Sequence, residues 1–197
     1  MCNRAQRTAK LPRDAHYLFE VKFFSTLDLA RTPYDIAGFV AMLQRQQVSS
    51  AVVLRRRNGL RRIASTLIAL RRGKYQMRPG DDPAVPRIKL PPKSVHLGQK
   101  YELNALLQAI DDEYAQLEAV LDRAGLPRCA IVYEYDVQAD PKVGYCKICE
   151  FLQVAPVPIK PALQRINDLP LSEVIVNFAE VRGHLAGSRF EWMLTAD

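Results

Sequence analysis

One stretch constrains this chain more than any other: Val52-Val53-Leu54-Arg55-Arg56-Arg57-Asn58-Gly59-Leu60-Arg61-Arg62-Ile63-Ala64-Ser65. An apolar run ends in three arginines, and a helical pattern begins at once. Leu60, Ile63, Ala64, Leu67 and Leu70 stripe that helix to about Arg72. The segment therefore reads as a strand entering a turn and then a helix. Ser65 stands eight positions after Arg57, two turns into the helix. Arginine recognises phosphate oxygens with a planar, permanently charged fork. A serine hydroxyl adds a neutral donor, and the amides of a helix N-terminus add more. The expectation is a phosphorylated ligand held by Arg57 and Ser65 at the carboxyl end of a buried strand. Arg55, Arg56, Arg61 and Arg62 read as surface residues with long aliphatic stems, one of them free to assist the ligand.

The flanking pattern extends this unit. Residues 1–15 read as a loose basic arm, and residues 16–197 as one α/β domain. Tyr17 to Phe24 is aromatic and β-branched enough for a buried strand. Thr32-Pro33-Tyr34-Asp35 predicts a helix start with Thr32 as N-cap, running to about Gln46. Ser50 to Leu54 is the second strand and Leu103 to Ala124 a long helix. Cys129 to Tyr133 is the third strand, and Pro141 to Phe151 a helix capped by Asp140. Val154 to Pro161 reads as extended and proline-rich, and Leu171 to Leu185 as a helix. Residues 80–92 are a proline-rich loop expected to be mobile and near substrate. Strand, helix, strand, helix implies a parallel sheet with right-handed crossovers.

Three segments together resemble a known family. Arg57-Asn58 with Ser65 is similar to the 3′-phosphate-binding segment of sulfotransferases, which use 3′-phosphoadenosine 5′-phosphosulfate (PAPS). Ile131-Val132-Tyr133-Glu134, Asp140-Pro141 and Ile148-Cys149-Glu150-Phe151-Leu152 resemble that family's strand, Tyr-Glu, Asp-Pro and helix segment. Ile175-Val176-Asn177-Phe178 through Ala186-Gly187-Ser188-Arg189-Phe190-Glu191 resembles the C-terminal region of bacterial carbohydrate sulfotransferases.

The resemblance implies a three-layer α/β/α domain of the P-loop nucleotide-binding type around a central parallel sheet. It implies sulfuryl transfer from PAPS to a hydroxyl of a carbohydrate or glycolipid, with 3′,5′-phosphoadenosine (PAP) as product. Arg57 and Ser65 would hold the 3′-phosphate. Lys22 would approach the transferred sulfate, and Ser188-Arg189-Phe190 would cover the adenine end. No metal is required in principle, since arginine, lysine and helix amides neutralise the charge. The family's first βα unit, with its glycine-rich 5′-phosphosulfate loop, has no counterpart, because the first glycine is Gly38. A truncated product, or a relic that no longer transfers sulfate and binds nucleotide weakly or acts only as an interaction domain, is therefore the alternative.

Charge sharpens the reading. Nine of the 28 basic residues lie between Arg55 and Arg78, a window without Asp or Glu. The rest of the chain is close to neutral, so the basicity is a local patch suited to an anionic ligand. Nucleic acid is the third-ranked partner, because the patch lacks a recognised motif and aromatic interleaving. No apolar run approaches transmembrane length and no signal-peptide core is present, so a cytoplasmic protein is expected.

Other residues weigh less. A lysine inside an apolar strand, as at Lys22, is expensive to bury unless it is paired or faces a cleft. His16, His96 and His184 are the candidate general bases, with His184 the most structural. Glu134 follows a strand and could face the cleft. Cys146-Lys147-Ile148-Cys149 lacks a second pair for zinc and lies within a helix, so it reads as two small buried residues.

Overall fold

The computed structural model describes residues 18–24, 27–91, 93–96 and 99–196. The chain is mixed α/β and divides into two compact units. The first comprises residues up to Ala51 together with Gln116–Pro127; the second comprises Val52–Ala115 and Arg128–Asp197.

In the first unit, helix α1 spans Ile36–Arg45, and Asp35 is its N-cap, accepting from the Gly38 amide at 2.7 Å. Thr32, expected to cap, instead donates its hydroxyl to Leu29 O at 2.9 Å and closes a short 3-10 turn over Leu29–Arg31. The strand expected at Tyr17 to Phe24 does not form over its described residues 18–24. The local turn takes the backbone groups that a ladder would need. The Lys22 amide donates to the Asp28 carboxylate at 2.8 Å, and the Asp28 amide returns to Lys22 O at 3.1 Å. Leu18 and Phe19 are left exposed, while Phe24, Leu29, Ile36 and Val40 are buried. His16 and the basic arm lie outside the described residues.

The second unit carries the segment singled out in the sequence. Strand β1 spans Ala51–Arg55 and helix α2 spans Gly59–Arg72. Asn58 caps α2 by accepting from the Arg61 amide at 2.9 Å. Gly73 ends it in the left-handed conformation, at φ 67°. An antiparallel pair follows, β2 (Lys93–His96) and β3 (Gln99–Glu102), a hairpin the sequence did not announce. Helix α3 spans Leu103–Arg123 and crosses from the second unit into the first. Strand β4 (Arg128–Val132) pairs in parallel with β1 as a two-stranded sheet.

A π-type turn, Tyr133–Val137, leads to helix α4, Pro141–Phe151, where Asp140 is the N-cap as expected. The expected single helix from Leu171 to Leu185 is two helices, α5 (Leu171–Val174) and α6 (Phe178–Leu185). The break has a physical cause. Asn177 brackets the backbone of Leu90, accepting from its amide at 2.9 Å and donating to its carbonyl at 2.7 Å. Ile175 forms a parallel bridge with Ile88.

That pairing also explains residues 80–92. Its described residues, 80–91, carry no helix or strand, but Ile88 and Leu90 are buried in the core with Leu60, Ile68, Leu107, Ile175 and Leu185. Arg72 donates to Asp82 O and Ala84 O, and Arg71 to Arg87 O. The loop expected near substrate is a strap tied to the end of α2.

Candidate functional site

The site lies where β1 hands over to α2, inside the second unit. Arg55 ends β1, Arg56 and Arg57 follow in the turn, and each guanidinium lies over a different aromatic ring. Arg55 stands 5.2 Å from the Tyr114 ring and pairs with Asp111 at 3.1 Å. Arg56 stands 4.5 Å from Tyr133. Arg57 stands 5.3 Å from Tyr135 and 5.6 Å from Trp192, and also contacts the Tyr135 hydroxyl. The three guanidinium groups thus have three separate sets of partners and do not converge on one point.

Beside α2 lies a small cleft lined by Arg56, Arg61, Ser65, Tyr133, Arg165, Ile166 and Asn167. Ser65 lies on α2, on the wall of this cleft. Arg57 is not among the lining residues; its place is taken by Arg56 and by Arg61, one helical turn before Ser65. The third guanidinium, Arg165, arrives from a distant loop, held by Asp168 at 2.7 Å. Arg61 is 5% exposed and donates to Ala196 O at 3.0 Å and to Leu169 O at 3.3 Å.

This cluster is electrostatically loaded. The Arg56 guanidinium is held below its usual pKa, first by burial; nearby Tyr133 and Glu134 oppose the shift, while Arg61 and Arg165 add to it. The Nε of Arg56 is buried without a hydrogen-bond partner among the described residues. A buried donor left unpaired is destabilising, and neighbouring like charges add to the cost. A polyanion would relieve both.

The amides at the turn are engaged by the protein itself. Glu134 accepts from the Arg57 amide at 3.0 Å and from the Asn58 amide at 2.9 Å. Its carboxylate thus sits at the positive end of α2 and joins the π-type turn to the β1 exit. Asn58, 1% exposed, donates to Met193 O at 3.0 Å and to Ala196 O at 3.1 Å, so the C-terminal segment closes over the same turn.

The remaining expectations are placed as follows. Lys22 belongs to the first unit and is exposed. His96 lies on β2, and His184 is exposed on α6. Ser188 shapes the turn after α6, donating to Leu185 O at 2.7 Å; Phe190 is buried in the core, and Arg189 pairs with Asp111 at 2.9 Å. Cys149 is buried, but Cys146 is exposed, so only one of the pair packs inside. Asp136, 3% exposed, accepts from the Val132 amide at 2.7 Å and pairs with Lys147, fixing the π-type turn to α4.

Sequence reasoning missed Arg165, Asn167 and Trp192. They lie about a hundred positions or more from Ser65, in segments with no local pattern of their own. Tyr133 was noticed only as part of a resemblance. Among the described residues no group of three or more His, Cys, Asp or Glu side chains is gathered to hold a metal, and no helix is long and apolar enough to cross a membrane. No family model, no curated protein and no solved structure matches the chain.

Proposed function

We propose that the chain binds a nucleotide phosphate in the Ser65 cleft, and that the ligand is a 3′-phosphoadenosine nucleotide. One observation carries the reading: three guanidinium groups and a helix-borne hydroxyl line a single cleft at the exit of a parallel strand. A phosphomonoester dianion has the charge and acceptor oxygens such a cluster suits. The role of holding phosphate, first given to Arg57 with Ser65, passes to Arg56, Arg61 and Arg165 with Ser65.

The adenine nucleotide and the reaction come from the sulfotransferase resemblance. The reaction is in-line transfer of the sulfuryl group of PAPS to a hydroxyl of a carbohydrate or glycolipid. The acceptor oxygen–sulfur bond forms as the bridging oxygen–sulfur bond breaks, PAP leaves, and a base takes the hydroxyl proton. For the sulfate the resemblance names Lys22, on its sequence position alone. The reading carries with it a three-layer domain of the sulfotransferase type, supported by the strand–turn–helix that delivers Ser65. A second reading, a nucleotide-binding relic without transfer, is favoured by Glu134, whose carboxylate already takes two turn amides a phosphate would use.

Calorimetric titration with PAP, AMP and inorganic phosphate tests the site. PAP is expected to bind most tightly, Ser65→Ala and Arg165→Ala to weaken it at least severalfold, and Arg57→Ala to change it little. Equal binding by wild type and Ser65→Ala sinks the assignment. Sulfuryl transfer from PAPS to a glycan panel then separates enzyme from relic.

A further inference from the structure

The basic patch seemed unsuited to nucleic acid because no aromatic residues interleave with its arginines. In the folded chain they do. Tyr133, Tyr135 and Trp192 lie 77 to 135 positions from the arginines they stack on, so no local pattern could show it. Tyr135 and Trp192 are 63% and 42% exposed, and both flank the exposed guanidinium of Arg57. Glu134, which adjoins Tyr135 in the chain, is turned back onto the amides of Arg57 and Asn58. Its charge is met there by two N–H donors and the positive end of a 14-residue helix.

We infer that the Arg57–Tyr135–Trp192 cluster binds single-stranded nucleic acid, with a backbone phosphate on Arg57 and unstacked bases on the two exposed rings. The combination needed is a cationic track that follows the phosphates and exposed π-faces that take successive bases. Arg57 supplies the cation beside the rings, and Arg71, Lys74 and Arg78 are the further exposed basic residues of the window from Arg55 to Arg78. The exposed rings supply the second. Duplex is the wrong partner, since its bases are already stacked and their faces closed. The interaction is independent of what the Ser65 cleft holds, since none of these three residues lines it.

The test is fluorescence anisotropy of labelled dT10 with the full-length chain, beside a duplex of equal length and dTMP as competitor. Trp192 is the sole tryptophan, so its quenching by unlabelled dT10 reports contact directly. Binding at 50 mM salt should weaken as salt rises, with a log–log slope of about −1.4 to −2.1, as expected for two or three phosphate contacts. Tyr135→Ala and Trp192→Ala should each weaken dT10 binding roughly tenfold. Arg57→Ala should make the slope shallower by about 0.7. Tyr135 is exposed enough to be replaced without loss of folding, which circular dichroism checks. The proposal is overturned if dT10 does not bind at 50 mM salt, if both ring variants bind as wild type does, or if duplex or dTMP competes equally. The PAP titration, run on the same protein, keeps this outcome separate from the fate of the cleft.

Discussion

Replacing Arg56 with methionine should make the protein more stable and a poorer phosphate binder. The two effects have separable origins. Arg56 Nε is buried without a hydrogen-bond partner among the described residues, and the group faces the like charges of Arg61 and Arg165. Leaving a buried donor unpaired costs about 1–3 kcal/mol. Against this, the guanidinium stands 4.5 Å from the Tyr133 ring, a contact worth about 0.5–2 kcal/mol. Methionine keeps an unbranched stem over that ring, and its sulfur returns about 0.3–1.5 kcal/mol. The balance favours Arg56→Met by about 1 kcal/mol, or a rise in Tm of about 2–4 °C for a chain of this length. Phosphate affinity should fall about 10- to 100-fold, since a charge-assisted hydrogen bond is worth about 1.5–3 kcal/mol. Urea denaturation with and without phosphate reads both effects. Ligand should stabilise the wild type by mass action and the variant much less. A variant destabilised by more than about 1 kcal/mol, with PAP affinity unchanged, would refute the view that this arginine is held in tension for an anion.

Three further outcomes follow from the geometry. Asn58→Ala removes the cap of α2 and the donor to Met193 O and Ala196 O, so it should cost about 2–3 kcal/mol in urea denaturation; a loss below about 1 kcal/mol would show that the C-terminal closure is incidental. Gly144→Ala should destabilise by about 1–2 kcal/mol despite the better helix propensity of alanine, because its Cβ would stand 2.9 Å from the backbone oxygen of Asp136; a more stable variant contradicts that contact. Lys147 and then the Val132 amide hold the Asp136 carboxyl below its usual range. The folded pKa is thus lower than the unfolded one, near 3.9, so this stabilisation is complete above that value and lost as pH falls through the folded pKa. Urea midpoints measured from pH 5 to 2.5 should fall less steeply for Asp136→Asn than for wild type, and parallel curves would remove Asp136 from the acid limb.

How much of this was legible depends on how far apart the deciding residues stand. The turn from β1 to α2 was written locally. An apolar run ending in arginines, Asn58 in the capping position and a 3.6-residue stripe all act within a few residues, and the observed bounds differ by a residue or so. Helix α4 with its Asp140 cap was equally local. The misreadings share one cause. Residues 18–24 have strand composition, yet a strand needs a partner, and Asp28 took the Lys22 amide first. Leu171 to Leu185 has helical periodicity, yet Leu90, some 87 positions before Asn177, claims that side chain and breaks the helix.

The candidate site follows the same rule. Ser65 could be singled out because its signal is one spacing on one helix, whereas Arg165 carries no local mark and reaches the same cleft from a distant loop. The choice among Arg55, Arg56 and Arg57 was open in the sequence because all three satisfy the same chemistry. It was settled by which ring each guanidinium found, and those rings belong to α3, to the π-type turn after β4 and to the C-terminal segment. Chemistry at a strand end is thus readable from sequence as a set of residues, but its division is a property of the fold: Arg56 lines the cleft, and Arg57 lies beside the exposed rings of Tyr135 and Trp192.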